Sequence, residues 1–249
     1  VVDDPVLFRN IVVESQVDPG LAPLHSAAAD IDGDGLKELF ITYPDHHSYN
    51  SPKVWEGTSI NGNKAPVFFE HTDRYFGSSV PPKASAGFLF ADYDNDNDPI
   101  DGIAGVDVFI PHTTGHLMYR NSGGSSTPIL QDVTAVCGVA DFYPNDRSKA
   151  ASWGDFDSDG YIDLFTSINE AEHALFRNVP SQSAPGGRAF EIFNTTGIGA
   201  SDCYSAIWFD VDEDHDVDLF LAHWPGGGSP QDPQNIKSRC YINRINEGI

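Results

Sequence analysis

The sequence predicts an all-β chain folded as a β-propeller of four-stranded antiparallel blades, about four of them, and three observations carry that prediction. Turn formers and strand formers dominate, with 23 Gly, 17 Pro, 16 Phe and 9 Tyr among 249 residues, a mixture suited to short strands joined by tight turns. One acidic motif recurs four times, its copies starting at Asp30, Asp92, Asp155 and Asp210, which are 62, 63 and 55 residues apart. Each copy is also embedded in the same series of strand-like segments, so the whole unit repeats and not the motif alone.

The elements of a unit follow in order. A run rich in small residues comes first: "HSAAAD", "SAGFLFAD", "SKAASWGD" and "YSAIWFD". Small side chains suit a first strand crowded around a central axis. The acidic turn follows: "DIDGDGLKELFI", "DYDNDNDPIDGIAGVDVFI", "DFDSDGYIDLFT" and "DVDEDHDVDLFL", the second carrying seven extra residues before Asp107. Each turn runs into an apolar second strand in which Leu164 and Phe165, or Leu219 and Phe220, face opposite neighbours. A third strand is read at "KVWEG", "HLMYRN", "HALFRN" and "RCYINR", and a fourth at "PVFFEHT", "PILQDVT" and "RAFEIFNTT". The opening "VLFRNIVVES" fits the join between third and fourth strands. Four strands in about 40–60 residues is what a propeller blade requires. The units run approximately over residues 11–66, 67–128, 129–188 and 189–249, in a single propeller domain or propeller fragment. A β-sandwich would not explain a fourfold recurrence at matched offsets, and tandem helical repeats would need a 3.6-residue apolar period that is absent. Trp153 and Trp208 sit at matching blade positions, which assigns them to the core.

Composition narrows function. There are 37 Asp and Glu against 14 Lys and Arg, a formal charge of -23, which argues against nucleic acid or an anionic membrane surface and favours cations as partners. No apolar run approaches the roughly 20 residues of a membrane span. The chain opens "VVDDPVLF", without Met or a signal-peptide pattern, and reads as a mature or trimmed soluble chain. Cys137, Cys203 and Cys240 form no CxxC pair and leave one unpaired if two bond, with Cys203–Cys240 as the candidate disulfide. Asn194 opens an "NTT" sequon.

Counting the first Asp of each loop as position 1, carboxylates recur at 1, 3, 5 and 9. Calcium takes 6–8 oxygens at about 2.3–2.6 Å, and alternating residues of a tight loop turn theirs inward. The first loop supplies Asp30, Asp32, Asp34 and Glu38; the second Asp92, Asp94, Asp96 and Asp107; the third Asp155, Asp157, Asp159 and Asp163; the fourth Asp210, Asp212, Asp214 and Asp218. Backbone carbonyls are expected from position 7: Leu36, Asp98, Tyr161 and Asp216. Position 6 needs a left-handed bend, met by Gly35 and Gly160 and, in loops two and four, by Asn97 and His215, which tolerate positive φ. In loop two, Asp98 or Asp101 could take the place of Asp107. Up to four Ca²⁺ are expected, and their 8 positive charges would take -23 to -15. Zinc is disfavoured by all-oxygen cages, an EF-hand by the missing helices and position-12 Glu. A solvated acidic face is the plainer reading of any single copy.

The pattern A-x-W-x-D-x-D-x-D-G-x-x-D-L-F, with L-x-R-N and V-T after it, resembles the FG-GAP/VCBS repeat family of integrin-alpha-like and cartilage-acidic-protein-like propellers, across essentially the whole chain. The resemblance implies a calcium-binding propeller outside the cell. Those propellers usually have seven blades, so the remaining blades lie elsewhere, or four close alone, or the open ends pair with a partner.

No P-loop, HExxH, GxGxxG or G-x-S-x-G motif is present, so no catalytic residue is assigned. If calcium occupies the loops between first and second strands, the opposite face is left for a protein or glycan ligand. Tyr43, His47, Tyr49, His112, His116 and Trp224 lie in its loops as candidate contacts. Secreted, lectin-like adhesion or recognition is the function this favours. The alternatives are an assembly subunit joined through open blade edges, and a lyase or hydrolase using the propeller as scaffold.

Overall fold

The structure is a computed structural model that describes residues 25–42, 51–58, 67–81, 87–96, 105–112, 115–123, 129–140, 150–167, 173–193, 198, 203–223 and 238–245. It is an all-β propeller in which each repeat forms its own antiparallel sheet. Blade 1 is β1 (His25–Ala29), β2 (Glu38–Thr42), β3 (Lys53–Gly57) and β4 (Phe68–Glu70). Blade 2 is β5 (Leu89–Ala91), β6 (Asp107–Ile110), β7 (Leu117–Asn121) and β8 (Leu130–Asp132). Blade 3 is β9 (Ala151–Gly154), β10 (Asp163–Thr166), β11 (Ala174–Pro180) and β12 (Arg188–Phe193). Blade 4 contributes β13 (Cys203–Phe209), β14 (Asp218–His223) and β15 (Arg239–Tyr241). Strands pair in chain order within every sheet. Blade boundaries fall one strand later than the repeat units drawn from sequence, because Phe68–Glu70 pairs with β3 and closes the first sheet.

Pleating sends alternate side chains to opposite sides, and each second strand uses both. Phe40 and Val108 meet in the core cluster between blades 1 and 2, Phe109 and Leu164 in that between blades 2 and 3, and Phe165 and Leu219 in that between blades 3 and 4. The first strands of neighbouring blades, β5 with β9 and β9 with β13, lie against one another. That places the small-residue strands innermost. Space there is tight: a Cβ on Gly154 would lie 2.5 Å from Trp208 Cγ, so glycine makes the seat for the indole of the next blade. Trp153 and Trp208 both pack on core clusters, as their matched positions predict.

Among the described residues, two short α-helices were not legible in the sequence. α1 (Thr72–Phe76) follows β4 and buries Tyr75 and Phe76; α2 (Thr134–Cys137) follows β8 and buries Cys137. Helices of four or five residues leave no 3.6-residue period to detect, and their stability comes from packing. All three cysteines are free, so the Cys203–Cys240 pairing is corrected: Cys203 is buried opposite His223, whereas Cys240 is exposed opposite Phe220.

Candidate metal centres

The acidic loops share a hydrogen-bonding pattern that is complete in loops three and four and found in part in loops one and two. The position-1 carboxylate accepts from the backbone N–H of positions 5 and 6: Asp155 from Asp159 (3.1 Å) and Gly160 (3.0 Å), Asp210 from Asp214 (3.2 Å) and His215 (3.0 Å). Asp92 accepts from Asp96 and Asp30 from Gly35 in the same way. The position-5 carboxylate turns back onto the N–H of position 7, as Asp34 does to Leu36 (2.8 Å) and Asp159 to Tyr161 (2.9 Å). Left-handed backbone occurs at position 6 as expected, in Gly35, Gly160 and His215. It also occurs at position 4, in Gly33, Asn95, Ser158 and Glu213, which sequence reasoning missed because three of these are not glycine. Asn97, Asp98 and Asp101 lie outside the described residues.

The ninth position carries two duties. Asp163 is fully buried, and its oxygens accept from the N–H of Phe156 (3.0 Å) and of Asn178 on the third strand (2.8 Å). Asp218 does the same for Val211 and Asn243, and Asp107 for Tyr93 and Asn121. Asp107 is thereby placed at position 9 of loop two despite the insert. Each of these carboxylates brackets the turn to the third strand. The bracketed Asn then reaches across to the preceding blade: its amide donates to the carbonyl of Ile31 from Asn121 (2.7 Å), of Tyr93 from Asn178 (2.7 Å) and of Phe156 from Asn243 (2.6 Å).

Carboxylate oxygens converge within 4.8 Å of one another in every loop: Asp30, Asp32 and Glu38; Asp92, Asp94 and Asp96; Asp155, Asp157 and Asp163; Asp210, Asp212 and Asp218. Asp34 gathers separately with Asp32 and Glu56. Asp30 Oδ1, Glu38 Oε1 and Asp92 Oδ2 are buried without a hydrogen-bond partner among the described residues. Burial, with neighbouring carboxylates adding to it, raises Glu38 and Asp163 to about 7 and Asp96 to about 6, and holds Asp107 well above the carboxylate range. Grouped acids so hard to ionise are the condition that a bound divalent cation relieves. An all-oxygen donor set with unsatisfied buried oxygens fits calcium.

Arginine supplies part of that relief from within. Arg120 pairs with Asp94 (2.6 Å) and Asp96, Arg177 with Asp157, and Arg74 of α1 with Asp32 (2.8 Å) and Glu56. In blade 4 the corresponding position is Ile242, which is exposed. The "YRN" and "FRN" of the third strands carried this signal in sequence. Tyr161 has a further role, its ring lying under the Arg188 guanidinium, 3.5 Å from centroid to Cζ. Asp216, at position 7 of loop four, is buried, while the oxygens that converge there are those of Asp210, Asp212 and Asp218.

On the opposite face, the structure moves two candidates indoors. His112 and His116 are buried, His116 with its ring 5.3 Å from Phe109, which withdraws them from a ligand-stacking role. The His116 ring lies between Phe109 of blade 2 and Phe176 of blade 3, which accounts for its burial. Tyr43, His47, Tyr49 and Trp224, like Asn194, lie outside the described residues. Among the described residues, no helix is long and apolar enough to cross a membrane.

Compared with known proteins, the chain matches no family model and no curated sequence. Among solved structures it is similar to BBS1N, in a crystal structure of BBS1N in complex with ARL6DN soaked with lead, at 13% identity and a TM-score of 0.45. The match covers 83% of this chain and 53% of that one, so this chain spans about half of its length.

Proposed function

We propose that the chain is a calcium-stabilised, non-enzymatic propeller module of the FG-GAP/VCBS type, working outside the cell in recognition or adhesion of a protein or glycan ligand. The observation that carries this reading is the carboxylate cluster repeated in four loops, with buried oxygens that have no hydrogen-bond partner among the described residues. Positions 1, 3 and 9 would hold the ion in loops one, three and four, and positions 1, 3 and 5 in loop two. The bound ion supplies positive charge where the folded chain has gathered negative charge. The protein's own contribution is rigidity: the hydrogen bonds to positions 1 and 9 fix the oxygens before the ion arrives. Carboxylate loops of modest affinity suit calcium-rich extracellular fluid, which supports the location. The ligand is assigned to the face opposite the loops.

Thermal unfolding in calcium against EDTA tests the ion. At a free concentration one hundred times Kd, each occupied site adds about 2.7 kcal/mol, and two or more sites raise Tm by roughly 10 °C or more. Magnesium at equal concentration is expected to do much less. Identical melting in both buffers, with no heat on calcium titration, sinks the ion reading. Glycan-array and cell-binding assays with and without calcium then address the ligand.

A further inference from the structure

We propose that loop two is a low-affinity, regulatory ion site, in which Arg120 acts as a built-in competitor for the ion and through which calcium controls a turn of blade 3. The inference rests on the ion reading and adds a functional difference between the loops to it. Strand register fixes which third-strand residue stands beside each acidic loop: Arg120 in blade 2, Arg177 in blade 3, Ile242 in blade 4 and Glu56 in blade 1. Loop two differs from the others twice. Its converging oxygens come from positions 1, 3 and 5, Asp92, Asp94 and Asp96, whereas loops one, three and four use positions 1, 3 and 9. Two of those three carboxylates are already tied to one guanidinium, since Arg120 Nε lies 2.6 Å from Asp94 Oδ2 and Nη2 pairs with Asp96 Oδ2. Elsewhere the competition is slighter. Arg177 reaches only Asp157 of its three, Arg74 only Asp32, and both arginines are about 40% exposed, against 17% for Arg120.

Room for an ion remains beside the arginine. Asp92 Oδ2, Asp94 Oδ1 and Asp96 Oδ1 are buried without a hydrogen-bond partner among the described residues, so Asp94 and Asp96 each give one oxygen to Arg120 and keep one for a cation. An ion there shares its ligands with a like charge a few ångströms away, in a site where the Asp94 side chain is wholly buried, and the repulsion lowers its affinity. The same pair of side chains supports blade 3. The turn Pro185–Gly187, between β11 and β12, lies directly on it: a Cβ on Gly186 would overlap Asp94 Oδ2 and stand 2.8 Å from Arg120 Nε. Glycine, here at φ 80°, is what lets the turn close down. Tyr93, between the first two ligands of the loop, donates from its hydroxyl to the Pro185 carbonyl (3.5 Å). An ion that draws Asp94 and Asp96 towards itself slackens their hold on Arg120 and removes the platform under Gly186. Loop two therefore fills after the other loops, and its filling loosens the blade 3 turn.

Calorimetric titration of the EDTA-treated 249-residue chain with calcium is expected to show a tighter class of sites and then one weaker step, about tenfold or more apart. Amide hydrogen exchange of the unsubstituted chain at the two calcium levels reads the coupling without any variant. The Ser181 N–H, which donates to the Gly187 carbonyl (2.8 Å) across the turn, should exchange faster only once the weak step is saturated. Arg120→Met removes the competing charge at similar length and should tighten the weak step about tenfold, with circular dichroism in calcium confirming the fold. Arg120→Lys keeps a charge that reaches one carboxylate and should give an intermediate shift. Arg177→Met, at the more exposed arginine, should shift its own site by less than about threefold. Absence of calcium binding in every form overturns the ion reading, and this inference with it. Binding in a single class that Arg120→Met leaves unchanged overturns this inference alone, as does a weak step that leaves exchange in the blade 3 turn unaltered. A weak step made weaker by Arg120→Met also overturns it, by showing that the arginine holds the carboxylates in place for the ion.

Discussion

Blades 3 and 4 have the same acidic turn and differ in what lies beyond it. In both, the position-1 Asp accepts the same pair of N–H groups at nearly equal distances, 3.1 and 3.0 Å in blade 3 and 3.2 and 3.0 Å in blade 4. The left-handed residues match as well: φ is 57° and 88° at Ser158 and Gly160, 64° and 77° at Glu213 and His215. Yet Phe156 is sealed under the next blade while Val211 is open, and Arg177 leans on Asp157 where blade 4 offers Ile242. Turn geometry is therefore dictated by the turn's own carboxylates and their N–H partners. Packing between blades decides only how much each turn contributes to the stability of the whole.

The strongest way to break that comparison is to remove an aromatic from each side of β13. Trp208 fills the seat made by Gly154 and packs near-parallel to Phe156 at 6.4 Å, so Trp208→Ala should cost about 4 kcal/mol in denaturant unfolding. Phe209, adjacent in sequence but facing outward, should cost under about 1 kcal/mol when made Ala in the monomer. Equal losses at the two positions would mean that blade 4 is covered on both sides in solution.

A second contrast lies in the position-9 bracket. Asp163→Asn sets an amide against the buried N–H groups of Phe156 and Asn178 and should lose about 3 kcal/mol. The matching Asp218→Asn affects N–H groups of Val211 and Asn243 that are only partly buried, so water can take over and about 1 kcal/mol is expected. Urea midpoints measured with calcium and with EDTA separate this hydrogen-bond cost from loss of an ion ligand. If the Asp163→Asn loss disappeared in EDTA, position 9 would be a ligand and no bracket.

These contrasts also show what the sequence could and could not reveal. The loops and strands were legible because their causes are local: carboxylates at alternate positions, a bend at position 6, an apolar run after it. The asparagine links were not, since Asn121 and Ile31, or Asn178 and Tyr93, meet across 90 and 85 residues and only once blades are stacked. Position 4 was missed because Ser158 and Glu213 adopt positive φ under the hydrogen bonds that the position-1 carboxylate makes within its own loop, against their own preference. His112 and His116 were misplaced for a related reason. Polar loop composition suggested exposure, whereas Phe109 and Phe176 of two different blades enclose the His116 ring.

The smallest expected effect follows from another difference between the same two blades. His173 immediately precedes the third strand of blade 3, where blade 4 has Ser238, and its ring lies edge-on to Phe165 and stacked near His223. Burial holds its pKa down to about 4, helped by the positive charge that His223 and Arg239 can place beside it. An unfolded chain titrates its histidines near 6.5, so between pH 6.5 and 4 the unfolded state binds a proton that the native state refuses. Stability present at neutral pH is thus lost as pH falls through that interval, by about 2 kcal/mol between pH 7 and pH 5 for this one group. His173→Phe keeps an aromatic ring against Phe165 and removes the titration. In calcium-saturated buffer the variant should therefore lose less stability than the parent chain over that range, with the difference growing as pH falls. Parallel pH profiles would show instead that the His173 ring takes up its proton in the native state, and that the interface between blades 3 and 4 admits water as the open face of blade 4 does.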